Sequence, residues 1–243
     1  MFYGELFFIT LFISTFFAMG GVGGAPALVP IFAFLGVPFN SAKAIGLFLN
    51  TSTTGISTIM NLKRKAVDIK FALPLAFSMM ITAPIGAYLS QFVPEKIVKG
   101  LFLLFLLFAG SMLIFGKKEA KFNYSKGWLL IPLGGGVGII SGLLGVGGGS
   151  LLMPILILLG FDAKKMAIVM SFVVPFSTLT GFLTYLQIVE LDWQLVAITT
   201  VGAVLGGYIG NYLMFFHFTP KQVKRLIGIL LYIIAGRLLL HLL

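Results

Sequence analysis

The sequence predicts an all-α integral membrane protein of eight hydrophobic segments arranged as two homologous repeats. Three observations carry this expectation. The composition is too apolar for a water-soluble core, uncharged runs recur at lengths that suit a bilayer, and one glycine-rich motif returns 124 positions further along the chain.

Hydrophobic residues make up 59% of the 243 positions and charged residues only 10%. Soluble domains carry about 25% charged residues, and folding cannot bury this much apolar surface, so lipid has to be the solvent. Uncharged runs cover residues 6–42, 44–62, 71–94, 100–115, 127–161, 166–189 and 193–220. A helical crossing takes roughly 20 apolar residues. With the final stretch, residues 226–243, these runs make eight segments; Ile97 and Val98 extend the short one that begins at Gly100. The net charge of +10 does not mark a nucleic-acid partner, because the basic residues sit in short loops between hydrophobic segments, as in membrane proteins generally. The chain has no cysteine, which excludes disulfides, thiolate metal sites and a cysteine nucleophile. Residues 1–5 lack the basic region and small-residue cleavage site of a signal peptide, so the first apolar run is expected to belong to the mature protein.

The repeat is read from matched positions. Val22-Gly23-Gly24 returns as Val146-Gly147-Gly148, Pro30 as Pro154, Leu35-Gly36 as Leu159-Gly160, Asp68 as Asp192, Gly86 as Gly210 and Tyr88 as Tyr212, all at one offset. With a two-residue slip, Thr54-Gly55 matches Thr180-Gly181, Pro94 matches Pro220 and Ala109-Gly110 matches Ala235-Gly236. The halves divide in the basic stretch 116–126, giving a first membrane repeat over residues 1–120 and a second over residues 121–243.

Each half opens with a segment that is too long. Residues 6–37 would form a helix of about 48 Å at 1.5 Å per residue, against a hydrocarbon core of roughly 30 Å. Its middle reads Gly20-Gly21-Val22-Gly23-Gly24-Ala25-Pro26. Glycine costs a helix about 1 kcal/mol per residue and proline favours the first turn of a new helix, so two half-helices with a break between them are expected. The second half repeats this, with a helix over residues 128–144, a break at Gly145-Val146-Gly147-Gly148-Gly149-Ser150, and a helix over residues 151–159.

Charge counts choose between two topologies. If each broken segment crosses the membrane, the halves are parallel and the sides carry nine and eight basic residues. If each dips in and returns, the halves are inverted. Thirteen basic residues (Lys63, Arg64, Lys65, Lys70, Lys117, Lys118, Lys121, Lys126, Lys164, Lys165, Lys221, Lys224 and Arg225) then share one side, and four (Lys43, Lys96, Lys99 and Arg237) share the other. The sequence therefore predicts inverted repeats in a bacterial-type plasma membrane. Each has a re-entrant, glycine-broken first segment plus three transmembrane helices, with both termini outside and the basic loops in the cytoplasm.

Irregular backbone at membrane depth survives only where protein buries it or where it lines a wet cavity. Paired breaks in the two halves of a membrane protein point to a transport site. A helix N-terminus offers unpaired N–H groups and about half a positive charge, so two such ends would hold an anion without a basic side chain. The candidate ends are Gly23, Gly24 and Ala25, and Gly148, Gly149 and Ser150. Candidate lining residues are Asn50, Thr51 and Thr54, with Ser171, Ser177 and Thr178 in the other half, because hydroxyls and an amide can donate hydrogen bonds to an oxyanion. Packing alone is the competing account of such residues, and it is the reading given to Gly134-Gly135-Gly136 and Gly206-Gly207. Trp128 and Trp193 read as interface anchors, and His217 and His241 as residues at segment ends.

The motifs Gly20-Gly21-Val22-Gly23-Gly24-Ala25-Pro26 and Gly142-Leu143-Leu144-Gly145-Val146-Gly147-Gly148-Gly149, followed by Pro30 and Pro154, resemble the signature of the sulfite exporter TauE/SafE family. The resemblance covers essentially the whole chain. It implies a permease for small sulfur-containing anions such as sulfite, sulfoacetate or related organosulfonates, without a cofactor. No Asp or Glu lies in the middle of a segment, so a carboxylate proton relay is not expected. The expected activity is anion export by alternating access. A channel or cation permease using the same breaks, and a membrane scaffold, are the alternatives. An intramembrane enzyme is not expected, since paired acids, zinc-ligand spacing and a nucleophile–histidine pair are all missing from the segments. The expected partners are the small anionic substrate and the bilayer, with a homo-oligomer left open.

Overall fold

The computed structural model describes residues 2–115 and 130–242; Lys117, Lys118, Lys121, Lys126, Trp128 and the division between the repeats lie outside the described residues. The described chain is helical: α1 (Phe2–Met19), α2 (Ala25–Phe34), α3 (Phe39–Lys63), α4 (Ile69–Leu89), α5 (Glu95–Phe115), α6 (Leu130–Leu144), α7 (Gly149–Leu158), α8 (Ala163–Tyr185), α9 (Trp193–Phe216) and α10 (Pro220–Leu242). Eight segments become ten helices because the glycine clusters split the first and fifth, as the excess length requires. Gly21 and Gly23 in one break, and Gly145 and Gly147 in the other, hold φ between +68° and +72°. A side chain with a Cβ rarely adopts that region.

Among the described residues, α4, α5, α8 and α9 are long and apolar enough to cross a membrane. Large apolar side chains such as Phe8, Phe77, Leu104 and Ile233 stand exposed on the outer surface, where lipid rather than water suits them. Helix starts follow local chemistry. Asp68 accepts from the Phe71 N–H at 3.2 Å, and its repeat counterpart Asp192 accepts from the N–H groups of Gln194 and Leu195 at 3.0 and 3.1 Å. Both are N-caps that satisfy otherwise unpaired donors. Asp192 also receives the Tyr3 hydroxyl at 2.8 Å, which pins the start of α1 to the start of α9. The Leu195 N–H and this hydroxyl hold the Asp192 carboxyl below the usual carboxylate range.

The tightest packing joins α1 to α9 and α6 to α4, and glycine makes it. Gly202, Gly206 and Gly210 of α9 lie against the carbonyls of Phe7, Leu11 and Thr15, in that order. Gly134, Gly138 and Gly142 of α6 lie against those of Leu75, Met79 and Ala83. Four-residue steps of small residues let membrane helices approach this closely. In lipid, hydrophobicity does not drive helices together, so contact area and polar pairing have to. Gly134 and Gly206-Gly207 thus pack as expected. Gly136 does not, since nothing lies within 4 Å of where its Cβ would be.

These contacts also set directions. The matched order along each pair makes α1 run with α9, and α6 with α4. Thr53, Ser57 and Asn61 meet Ala203, Gly207 and Asn211, so α3 also runs with α9. Thr51 meets Thr178 while Asn61 meets Ser171, so α3 and α8 run oppositely. Thr180 meets Met80 and Tyr185 meets Ser90, so α4 runs with α8. Hence α1, α3 and α4 each run against their counterparts α6, α8 and α9. Ala25 and Val29 of α2 meet Asn50 and Gly46 of α3 in reverse order, so α2 runs against α3 and therefore against α1.

The close glycine seams generate a paired prediction. A Cβ at Gly86 would lie 1.9 Å from the Ile139 carbonyl oxygen, so Gly86→Ala is expected to cost about 1–3 kcal/mol through overpacking. Gly136→Ala is expected to leave the thermal unfolding midpoint in detergent unchanged or slightly raised.

Candidate functional site

The two breaks meet at one side chain. Asn50, fully buried near the middle of α3, lies between them. A Cβ on Gly23 would fall 1.8 Å from Asn50 Oδ1, and one on Gly147 would fall 2.4 Å from Asn50 Nδ2. The Ala25 N–H donates to Asn50 Oδ1 at 3.3 Å, and Asn50 Nδ2 donates to the Val22 carbonyl at 3.3 Å. One amide thus serves an N–H and a C=O that the broken helix leaves without partners, which inside a membrane would otherwise cost several kcal/mol each. The breaks also touch directly, because a Cβ on Gly149 would lie 3.3 Å from Val22 Cα.

Hydroxyls surround this point. Thr51 and Thr178 share a hydrogen bond of 2.8 Å between their Oγ1 atoms. Each also lies 2.9 Å from a carbonyl of its own helix, Leu47 and Val174; with one proton each, one hydroxyl donates across to the other and the second donates to its carbonyl. Thr54 lies one turn on, bonded to the Asn50 carbonyl at 2.6 Å, with its methyl facing Gly23. Gly23, Ala25, Asn50, Thr51, Thr54 and Thr178 therefore gather at the meeting of the breaks.

The remaining candidates lie around or away from it. A Cβ on Gly24 would face Leu28, Ser14 and Ile13, and one on Gly148 would face Met79 and Val137. Gly149 faces Val174 as well as Val22, and Ser150 turns its hydroxyl back to the Gly147 carbonyl at 2.9 Å. Ser177 donates to its own helix at the Val174 carbonyl, 3.0 Å away. Ser171 belongs to a separate network at the far end of α3. Asn61 Nδ2 donates to Ser171 Oγ at 2.9 Å, Asn211 Nδ2 donates to Asn61 Oδ1 at 3.2 Å, and Arg64 donates to Asn211 Oδ1 at 2.8 Å while stacking on Phe215. Thr58 joins the two groups, its hydroxyl lying within reach of both the Thr54 and the Ser171 carbonyls. The result is a polar stripe down α3, Asn50, Thr54, Thr58 and Asn61, at the spacing that puts residues on one helix face.

Three participants escaped the sequence reading as site residues. Gly147 completes the contact on Asn50, and its equivalence to Gly23 was the available signal. Asn211 completes the network at the far end, with no local signal. Lys43 was counted among loop charges, yet it lies inside α3 and is only 1% exposed. It is the charged residue among the buried polar side chains, which include no Asp or Glu among the described residues. A cavity of about 740 Å³ opens between α1 and α10, lined by Phe12, Phe16, Lys221 and Arg225 among others; no residue of either break contributes to its wall.

Two broken helices that meet inside a multi-pass helical membrane protein are an arrangement found in membrane transporters. The comparisons agree. The sulfite exporter TauE/SafE family profile matches residues 6–238, and the chain belongs to that family. It is 27% identical to a probable membrane transporter protein of Methanocaldococcus jannaschii over 68% of this chain and 66% of that one. It is 26% identical to the probable membrane transporter protein YunE of Bacillus subtilis over 78% of this chain and 80% of the relative. A probable membrane transporter protein of a Sinorhizobium species is 28% identical over 84% and 80% of the two chains. No solved structure matches significantly. The protein is a multi-pass membrane transporter.

The double duty of Asn50 generates a stability prediction. Asn50→Leu strands the Ala25 N–H and the Val22 carbonyl, each at about 1–3 kcal/mol, and should lower the unfolding midpoint clearly. Ser177→Ala, which removes a bond only to its own helix, should leave the midpoint nearly unchanged.

Proposed function

We propose that the protein is a permease for a small anion of the sulfur oxyanion or organosulfonate class, sulfite or sulfoacetate being representative. It exports the anion from a bacterial-type plasma membrane by alternating access around the meeting point of the breaks. The observation that carries this reading is the convergence of Gly23 and Gly147 on Asn50.

The chemistry favours an anion over a cation. The groups gathered at the breaks are the N-terminal ends of α2 and α7, an amide and threonine hydroxyls, all of which can donate hydrogen bonds. Among the described residues no carboxylate is buried and one ammonium is. The break is closed in this conformation: Met79 and Val174 cover Gly148 and Gly149, and the Thr51 and Thr178 hydroxyls are engaged with each other and with a helix carbonyl. Alternating access then requires the breaks to separate, freeing the Asn50 amide and the Thr51 and Thr178 hydroxyls for the ligand. The family name supplies the sulfur-anion class.

The topology proposed with this function is an inverted repeat whose first segments re-enter. Its support is the reversal between α1 and α2, together with the opposed directions of α1 and α6, α3 and α8, and α4 and α9. The thirteen-to-four division of basic residues then sets the loops near Arg64, Lys164 and Lys224 in the cytoplasm and both termini outside. With the cytoplasm negative, one anionic charge moves outward with about 2.3 kcal/mol per 100 mV, so export needs no coupling ion.

Purified protein in liposomes tests the reading. Sulfite, sulfate, thiosulfate, sulfoacetate and taurine would be offered in turn, with sodium and potassium as cation controls and an imposed potential. A selective anion flux that reverses with the potential is expected. Thr51→Val combined with Thr178→Val should lower it on the order of tenfold, the worth of one or two bonds to a charged group. Cation flux without anion flux would replace the anion reading with a cation permease.

A further inference from the structure

We propose that Lys43 forms a second anion site, a capture site at the mouth of the pathway, two helical turns before the meeting point of the breaks. It takes a small oxyanion or sulfonate by its ammonium group. The identity of that anion rests on the permease reading, but its binding does not require transport.

A lysine inside a membrane segment is costly and needs a partner or a wet cavity. Lys43 is 1% exposed. Its Nζ lies 5.2 Å from the centre of the Phe39 ring and 5.1 Å from that of Tyr185. These ring faces attract a cation without neutralising it. No hydrogen bond or ion pair reaches the ammonium among the described residues, whereas Glu95, the carboxylate beside it, is paired with Lys99 at 2.6 Å. Lys43 instead lines a cavity of about 410 Å³ with Asn40, Ser90, Gln91 and Glu95. That is room for an oxyanion and its water, with two amides and a hydroxyl on the wall to donate hydrogen bonds.

The location ties this cavity to the breaks. Lys43 and Asn50 are seven residues apart on α3, on one face and about 10 Å apart along the axis. The second break rests on the lysine itself, since a Cβ on Gly145 would fall 2.5 Å from Lys43 Cβ and 2.6 Å from its Cγ. Tyr185, whose ring faces the ammonium, lies within hydrogen-bonding distance of Ser90 Oγ at 2.9 Å and of the Gly142 carbonyl at 3.1 Å, just before that break. An anion on Lys43 would thus sit against the stem on which the break packs.

Among the described residues the site has no counterpart at the matched position. The matched position in the second half is Ala167, where Gly21 packs on the backbone. The two mouths are therefore chemically unequal in spite of the repeat: the mouth opposite Lys63, Arg64 and Lys65 carries a buried cation, and the matched position near the other carries a methyl group.

The absence of native cysteine permits a direct test. Gln91, exposed on the cavity wall, is replaced (Gln91→Cys) and labelled with two methanethiosulfonate reagents, one bearing an ethylsulfonate and one a trimethylammonium group. The same is done with Lys43→Met and Lys43→Arg added. With Lys43 or arginine present, the sulfonate reagent should gain on the ammonium reagent on the order of tenfold over the Lys43→Met background, the effect of one unit charge at short range in a partly buried site. Millimolar sulfoacetate or sulfate should slow labelling in the first two proteins and not in the third. Equal reagent preference in all three backgrounds, or no protection by either anion, would overturn the proposal. Charge-dependent labelling in a protein that passes no anion in liposomes would leave this site standing and remove the permease reading.

Discussion

Backbone that stops being helical within lipid leaves N–H and C=O groups that no water can reach, and they must find partners in the protein. Here that requirement falls largely on Asn50. Its amide takes the first N–H of α2 and serves the carbonyl of Val22, while its two faces touch the glycines of both breaks. Gly23 and Gly147 can come this close because they lack Cβ atoms and because their positive φ suits glycine. The same residue therefore closes the broken helix and joins the two halves of the chain.

The glycine seams answer a second demand. Without a hydrophobic drive between helices in lipid, α1 is held on α9, and α6 on α4, by close backbone approach at four-residue steps. Each seam joins an element of one half to an element of the other, so the halves interlock rather than sit side by side. A movement that parts the breaks must then either slide these seams or leave them rigid and rotate the helices around them. The polar stripe on α3, between Lys43 at one end and Arg64 at the other, lies alongside the seam of α1 with α9 and against both breaks.

Much of this was legible in the chain. The segment lengths, the glycine breaks and the packing role of Gly206-Gly207 depend on local composition and spacing, which sequence states directly. The candidate site was legible in part. Gly23, Ala25, Asn50, Thr51, Thr54 and Thr178 gather at one place, because breaks and polar stretches matched by the repeat fold against each other. Ser171 was grouped with Ser177 and Thr178, yet the antiparallel crossing of α3 and α8 carries it to Asn61, about 16 Å beyond Asn50 along α3. Lys43 was assigned to a loop because a charge interrupts an apolar run, and nothing local says that Phe39 and Tyr185 will close over it.

The sequence by itself determined that the chain lives in lipid, that it is helical, where its helices break and which motifs recur 124 positions apart, since these follow from hydropathy, glycine and repetition along one dimension. Only the tertiary structure decided which groups meet: the breaks on Asn50, Thr51 on Thr178, Arg64 on Asn211, and a buried Lys43 in one mouth without a match in the other. Those meetings depend on the direction and register with which helices far apart in the chain pack, and a repeat leaves that register open until side chains at the contacts select it.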